Sequence, residues 1–80
     1  MRTNVILKNG VSLCANVVNV YSVTVFVYIH NLLDIQRIEL MNFCLQTEFE
    51  CHEENSITHP NALRISVPKN MVELFSIATL

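Results

Sequence analysis

The chain has 80 residues, 51% of them hydrophobic and only 15% charged, with a net charge of −2. An average soluble domain carries about 25% charged residues, so this chain has more apolar surface than one small core can hide, and some of it is expected to meet a second copy or another protein. The weakly acidic balance argues against a broad nucleic-acid footprint, which needs clustered Lys and Arg, and the single glycine leaves nothing from which to build a phosphate cradle.

Asn9-Gly10 sits between two apolar segments, Asn4 to Lys8 and Val11 to Val18. Asn-Gly suits a type I′ turn, whose two central residues need positive φ, so a β-hairpin is predicted with Asn9 and Gly10 as its structural turn. The second strand places Val11, Leu13, Ala15 and Val17 on one face. Apolar parity then switches to Val18 and Val20, which predicts a bulge or sharp bend between Asn16 and Asn19. A long bent strand can pair on both sides and so close a small barrel.

A third strand is expected over Val23 to His30. No Asp, Glu, Lys or Arg lies between Lys8 and Asp34, a run long enough to span a bilayer as a helix. Yet Val23, Val25, Val27 and Ile29 alternate with Thr24, Phe26, Tyr28 and His30, which is a strand signal, and no membrane span is expected. Asn31 to Gln36 reads as a turn. Met41, Phe43, Leu45, Thr47, Phe49 and Cys51 then alternate with Asn42, Cys44, Gln46, Glu48, Glu50 and His52, predicting a strand with one apolar and one acidic face. His52 to Ala62 is polar with one proline and is expected to be a mobile loop. Leu63, Ile65 and Val67 mark another strand, which Pro68 ends. From Asn70 a short capped helix and a last strand are both open. A tight turn followed by a strand is preferred, because so short a helix is marginal in water. The expected fold is a single all-β domain over residues 1–80, a small antiparallel five- to six-stranded barrel or rolled sheet.

Cys14, Cys44 and Cys51 are an odd number at no framework spacing, and Arg2 and Lys8 lead into no small-residue cleavage pattern. Reduced thiols and a cytoplasmic location are expected. Cys44, Cys51, His52 and His59 are the only residues clustered with zinc-ligating atoms. They lack a C-x-x-C knuckle, and strand alternation points Cys44 and His52 away from Cys51, so no metal and no cofactor is expected. Glu48 and Glu50 would share a solvated strand face that discourages aggregation. No Cys/His pair has an orienting third group, so the chain does not read as an enzyme. Phe26, Tyr28 and His30 share a face, which suits core packing or an oligomer interface.

The stretch "NVILKNGVSLCANVVNV", Asn4 to Val20, resembles the first hairpin of the Sm/Hfq-like family, with its apolar-NG-apolar turn leading into a long bent second strand. "RISVPKNMVELFSIATL", Arg64 to Leu80, is similar to that family's closing pair of strands around a short turn. Together the two stretches cover less than half the chain. The resemblance implies a five-stranded open barrel that forms a ring through its edge strands and binds uridine- or adenine-rich RNA. The aspartate and asparagine of the family's RNA pocket have no counterpart between Val20 and Ile29. Arg37, Arg64 and Lys69 are instead the candidates for phosphate contacts. The expected function is a non-enzymatic interaction module, a homo-oligomer that also binds a protein partner; the alternative is an Sm-like RNA-binding ring protein.

Overall fold

The computed structural model describes residues 1–78, with strands β1 (Arg2–Leu7), β2 (Ser12–Ala15), β3 (Val17–Val20) and β4 (Thr24–Ile29), helix α1 (Asp34–Thr47), and strands β5 (Glu50–Glu54), β6 (Ala62–Pro68) and β7 (Val72–Ala78). The domain is mainly β. It is built as two antiparallel sheets, ordered β2-β1-β7 and β3-β4-β6-β5. The mainly β, antiparallel character agrees with the expected barrel or rolled sheet of five to six strands, but the described residues form seven strands in two sheets with one helix, and no closed barrel.

The hairpin is present, but its turn is of a different type. Gly10 N–H donates to the Leu7 carbonyl (2.9 Å) and Leu7 N–H to the Val11 carbonyl (2.8 Å), so three residues connect the strands. Gly10 has φ +90°, whereas Lys8 and Asn9 are not among the positive-φ residues. This is a type I turn followed by a left-handed glycine, the next most common hairpin loop after the two-residue turns. Asn9 Oδ1 accepts from Val11 N–H at 3.0 Å and braces it. Asn9 therefore works through its side chain, not through a positive φ.

The bend expected between Asn16 and Asn19 falls at Asn16, where β2 ends and β3 begins. β2 pairs with β1, whereas β3 pairs with β4. Asn16 joins the two ladders: its N–H donates to the Tyr28 carbonyl and its Oδ1 accepts from His30 N–H, both at 2.8 Å. One bent strand thus belongs to both sheets, and the strands run in a single order, β7-β1-β2/β3-β4-β6-β5.

The inner faces carry the core. Val5, Leu7, Leu13 and Ala15 face Val25, Val27, Leu63, Ile65 and Val67, all buried. A fully buried Val, Leu or Ile side chain contributes about 1.5–3 kcal/mol through removal of its surface from water.

The strand expected from Met41 is a helix through Thr47. Leu40, Phe43, Cys44 and Thr47 lie at i, i+3, i+4 and i+7, and the first three pack on the core. That stripe draws Leu40 and Cys44 from one strand parity and Phe43 and Thr47 from the other, as a helical period does. Gln36 Oε1 accepts from Leu33 N–H (2.9 Å) at the start. At the other end Glu48 adopts φ +62° and Phe49 N–H reaches the Cys44 carbonyl at 3.1 Å. Glu48 therefore caps a helix and does not share a strand face with Glu50. Only Glu50–Glu54 is strand. Of the stretch His52 to Ala62, expected to be a mobile loop, His52–Glu54 lies in β5 and Ala62 in β6, and the rest is tied down: Asn31 N–H and Leu32 N–H donate to the Pro60 and Asn61 carbonyls, and Asn61 Nδ2 donates to the Leu32 carbonyl at 2.8 Å. After Pro68 a 3-10 turn at Lys69–Met71 leads into β7, in agreement with a tight turn and then a strand.

Candidate functional site

The cysteines and histidines once grouped as zinc candidates separate into three places. Helix α1 turns Cys44 inward, 3% exposed, where it lies against Cys51. Strand alternation predicts that these two point apart; the helix brings them together. Burial, and then the neighbouring Cys51, push the Cys44 thiol up to about 12, so it is an inert, protonated thiol at neutral pH. His52 sits opposite Arg64 on the outward face of the four-stranded sheet. His59 stacks on Tyr28, with ring centroids 3.8 Å apart. Among the described residues no group of three or more His, Cys, Asp or Glu side chains is placed to hold a metal ion.

The basic candidates are equally dispersed. Arg37 on α1 bonds Glu53 at 3.5 Å and the Asn61 side chain. Arg64 on β6 lies over the Phe26 ring, 4.6 Å from its centroid, with Nε buried and unpartnered among the described residues. Lys69 is in the 3-10 turn. Three separate elements carry them.

One contact was invisible in the sequence. His30 Nε2 and His59 Nδ1 are 2.9 Å apart, one donating to the other, across 29 positions of chain. Tyr28 stacks on His59, and the Glu54 charge acts on His30. Desolvation first, then the His59 charge, lowers the His30 pKa, against a smaller upward pull from Glu54. The unfolded residue has the ordinary value near 6.5. Folded His30 therefore binds its proton less tightly than unfolded His30, and unfolding below that pH takes a proton up. The stability tied to His30 is complete above pH 6.5 and drains away as the pH falls below it. The melting temperature should drop between about pH 7.5 and about pH 5.5, and the drop should shrink in His30→Gln. Equal drops in the two proteins would place the acid sensitivity elsewhere.

The two ends of the strand order present unpaired backbone. β7 pairs with β1 alone, and β5 with β6 alone, among the described residues. β7 is seven residues long, and Leu74, Phe75 and Ile77 are 47%, 45% and 65% exposed. Phe75 lies opposite the fully buried Val5, so Phe75 and Ile77 point to the core side and overhang it. At the other end Met41, Cys44, Leu45, Phe49 and Cys51 line a cavity of about 250 Å³ between α1 and β5. Sequence reasoning could not anticipate that cavity without the helix. No helix among the described residues is long and apolar enough to cross a membrane. In comparisons with known proteins the chain matches no family model, no curated protein and no solved structure.

Proposed function

We propose that the chain is a non-enzymatic interaction module that self-associates, and binds a protein partner, through the open edge of β7. The observation that carries this is a seven-residue edge strand with three exposed large apolar side chains. Natural edge strands are blunted by charge, proline or short length, because unpaired N–H and C=O groups template another strand. β7 contains no proline, and its one charge, Glu73, lies where the pairing with β1 slips register between Ile6 and Leu7. Such an edge suits strand addition, in which backbone bonds give affinity and alternate side chains give selectivity. At micromolar concentration the protein should sediment as an oligomer, and Ile77→Glu should shift it to monomer. A wild-type protein that stays monomeric, with no exposed-patch dye binding, removes the proposal.

A second reading is the Sm-like RNA-binding ring. The bent β2–β3 strand and the β6–turn–β7 closure support it, being the two stretches that carry the family resemblance. Its phosphate contacts would come from Arg37, Arg64 and Lys69. Oligo-U or oligo-A should then be retained at low salt and released as salt displaces condensed counterions. No retention at low salt ends this reading.

A further inference from the structure

We propose that a groove between the free side of β2 and helix α1 binds an extended peptide of a partner protein, one that carries an apolar residue between an acidic and a basic one. The site is separate from the β7 edge and does not rest on self-association.

Backbone geometry is the first support. Leu7 N–H donates to the Val11 carbonyl, so Val11 and, two residues on, Leu13 turn their N–H and C=O groups toward β1. Ser12 and Cys14 turn theirs the other way, because successive residues of a strand bond on opposite sides. Asn16 uses that same side to donate to the Tyr28 carbonyl, and its Oδ1 takes His30 N–H where a ladder would have continued. There β4 leaves: Asn31 adopts φ +52° and the chain turns into α1. β2 pairs with β1 alone, so the peptide groups on the free side of Ser12 and Cys14 have no strand beside them among the described residues.

The cavity on that side is the second support. It measures about 410 Å³, and Leu13, Ile29, Leu32, Leu40 and Phe43 give it an apolar lining. Arg2 and Glu39 are its only charged lining residues, and neither is ion-paired among the described residues. Arg2 Nη1 donates to Cys14 Sγ at 3.9 Å, which puts Arg2 at the Cys14 end, while Glu39 stands on the helical wall. A strand added antiparallel to β2 sets one residue opposite Leu13, and its side chain enters the cavity, because residues directly opposite share a face. The two flanking residues lie opposite Cys14 and Ser12, exchange backbone bonds with them and turn their side chains to the mouth. An acidic residue opposite Cys14 meets Arg2, and a basic residue opposite Ser12 meets Glu39. In chain order the peptide therefore reads acidic, apolar, basic. Strand addition of this kind draws affinity from the backbone and selectivity from alternate side chains.

The probe is the capped pentapeptide acetyl-Thr-Glu-Leu-Lys-Thr-amide, titrated into the full chain while NMR follows the backbone amides. Saturable shifts are expected at Ser12 and Cys14. Replacing the leucine of the peptide by alanine should weaken binding at least about tenfold, through the apolar surface it no longer buries. N-methylation of its glutamate and lysine removes two backbone donors, leaves every side chain in place and should abolish binding. Arg2→Ala, at an exposed position, should weaken binding by about two- to fivefold, the scale of a surface ion pair. An N-methylated peptide that binds as tightly as the parent overturns the backbone pairing. A reversed peptide, acetyl-Thr-Lys-Leu-Glu-Thr-amide, that binds equally well overturns the assigned direction. No saturable shift at Ser12 and Cys14 up to the solubility limit of the peptide, or shifts confined to β7, removes the site.

Discussion

Ile65→Ala should lower the melting temperature of the domain more than any exposed truncation. Ile65 is fully buried on β6, between Val27 of β4 and Cys51 of β5, so its side chain is enclosed by neighbours on both flanks. Removing three carbons there loses their transfer free energy and leaves a cavity that the paired strands cannot collapse to fill. Such substitutions cost about 2–5 kcal/mol. A domain of this size has total stability of only about 4–12 kcal/mol, at about 0.05–0.15 kcal/mol per residue. The melting temperature should fall by about 10–30 °C, since each kcal/mol shifts a small domain by about 4–8 °C. Ile57→Ala is the matched control, because Ile57 is fully exposed in the loop before β6 and its truncation uncovers little. Circular dichroism melts of the two variants decide the matter, and similar midpoints would contradict the assigned core.

Gly10→Val should be the costliest change outside the core. An added Cβ at Gly10 meets nothing within 4 Å, so the cost is conformational and owes nothing to crowding. At φ +90° a β-carbon meets its own backbone, and a β-branched residue tolerates this worst. A loss of about 1–2 kcal/mol is expected for Gly10→Val, with Gly10→Asn milder, since asparagine enters the left-handed region more readily. The ranking wild type, Asn, Val should appear in melting temperature. Self-association should change only with the folded fraction, because the turn stands apart from both open edges. Equal melting temperatures for Gly10→Val and the wild type would mean that the glycine conformation carries no strain.

Much of the sheet was legible because its residues obey a period of two. Leu13 and Ala15, Val25 and Val27, and Leu63, Ile65 and Val67 alternate cleanly, and the parity switch after Val17 marked a bend that the structure places at Asn16. The turn was legible in place but not in type, because Lys8 joins the loop and Asn9 contributes a side-chain bond instead of a left-handed backbone. Helix α1 was misread for a definite reason. Between Met41 and Thr47 the period of two runs through Met41, Phe43 and Leu45, whereas the helix buries Leu40, Phe43 and Cys44 and leaves Met41 and Leu45 exposed, so a short window favours the wrong period. Two signals favoured the helix: Gln36, Arg37, Glu39, Leu40 and Met41 are good helix formers, and no residue from Glu39 to Gln46 is β-branched. The misreading carried through to the site. With Cys44 assigned to a strand, its contact with Cys51 and the cavity beside β5 had no place to form. The His30–His59 pair was beyond reach, because only β4, β6 and the folded loop bring the two rings together.

The pairing of β1 with β7 also governs how the chain reaches its fold. Arg2 is matched with Ala78, so the three-stranded sheet joins the beginning of the described chain to its end. The β1–β2 hairpin can form within microseconds from neighbouring residues. Its remaining edge must wait for β7, about 70 residues further along the chain. Closing so long a loop costs conformational entropy before any contact offsets it, and folds dominated by such distant pairings take milliseconds to seconds. During synthesis the β1 edge and the fully buried Val5 beside it stay uncovered until β7 emerges. For that interval β1 is exposed to wrong partners.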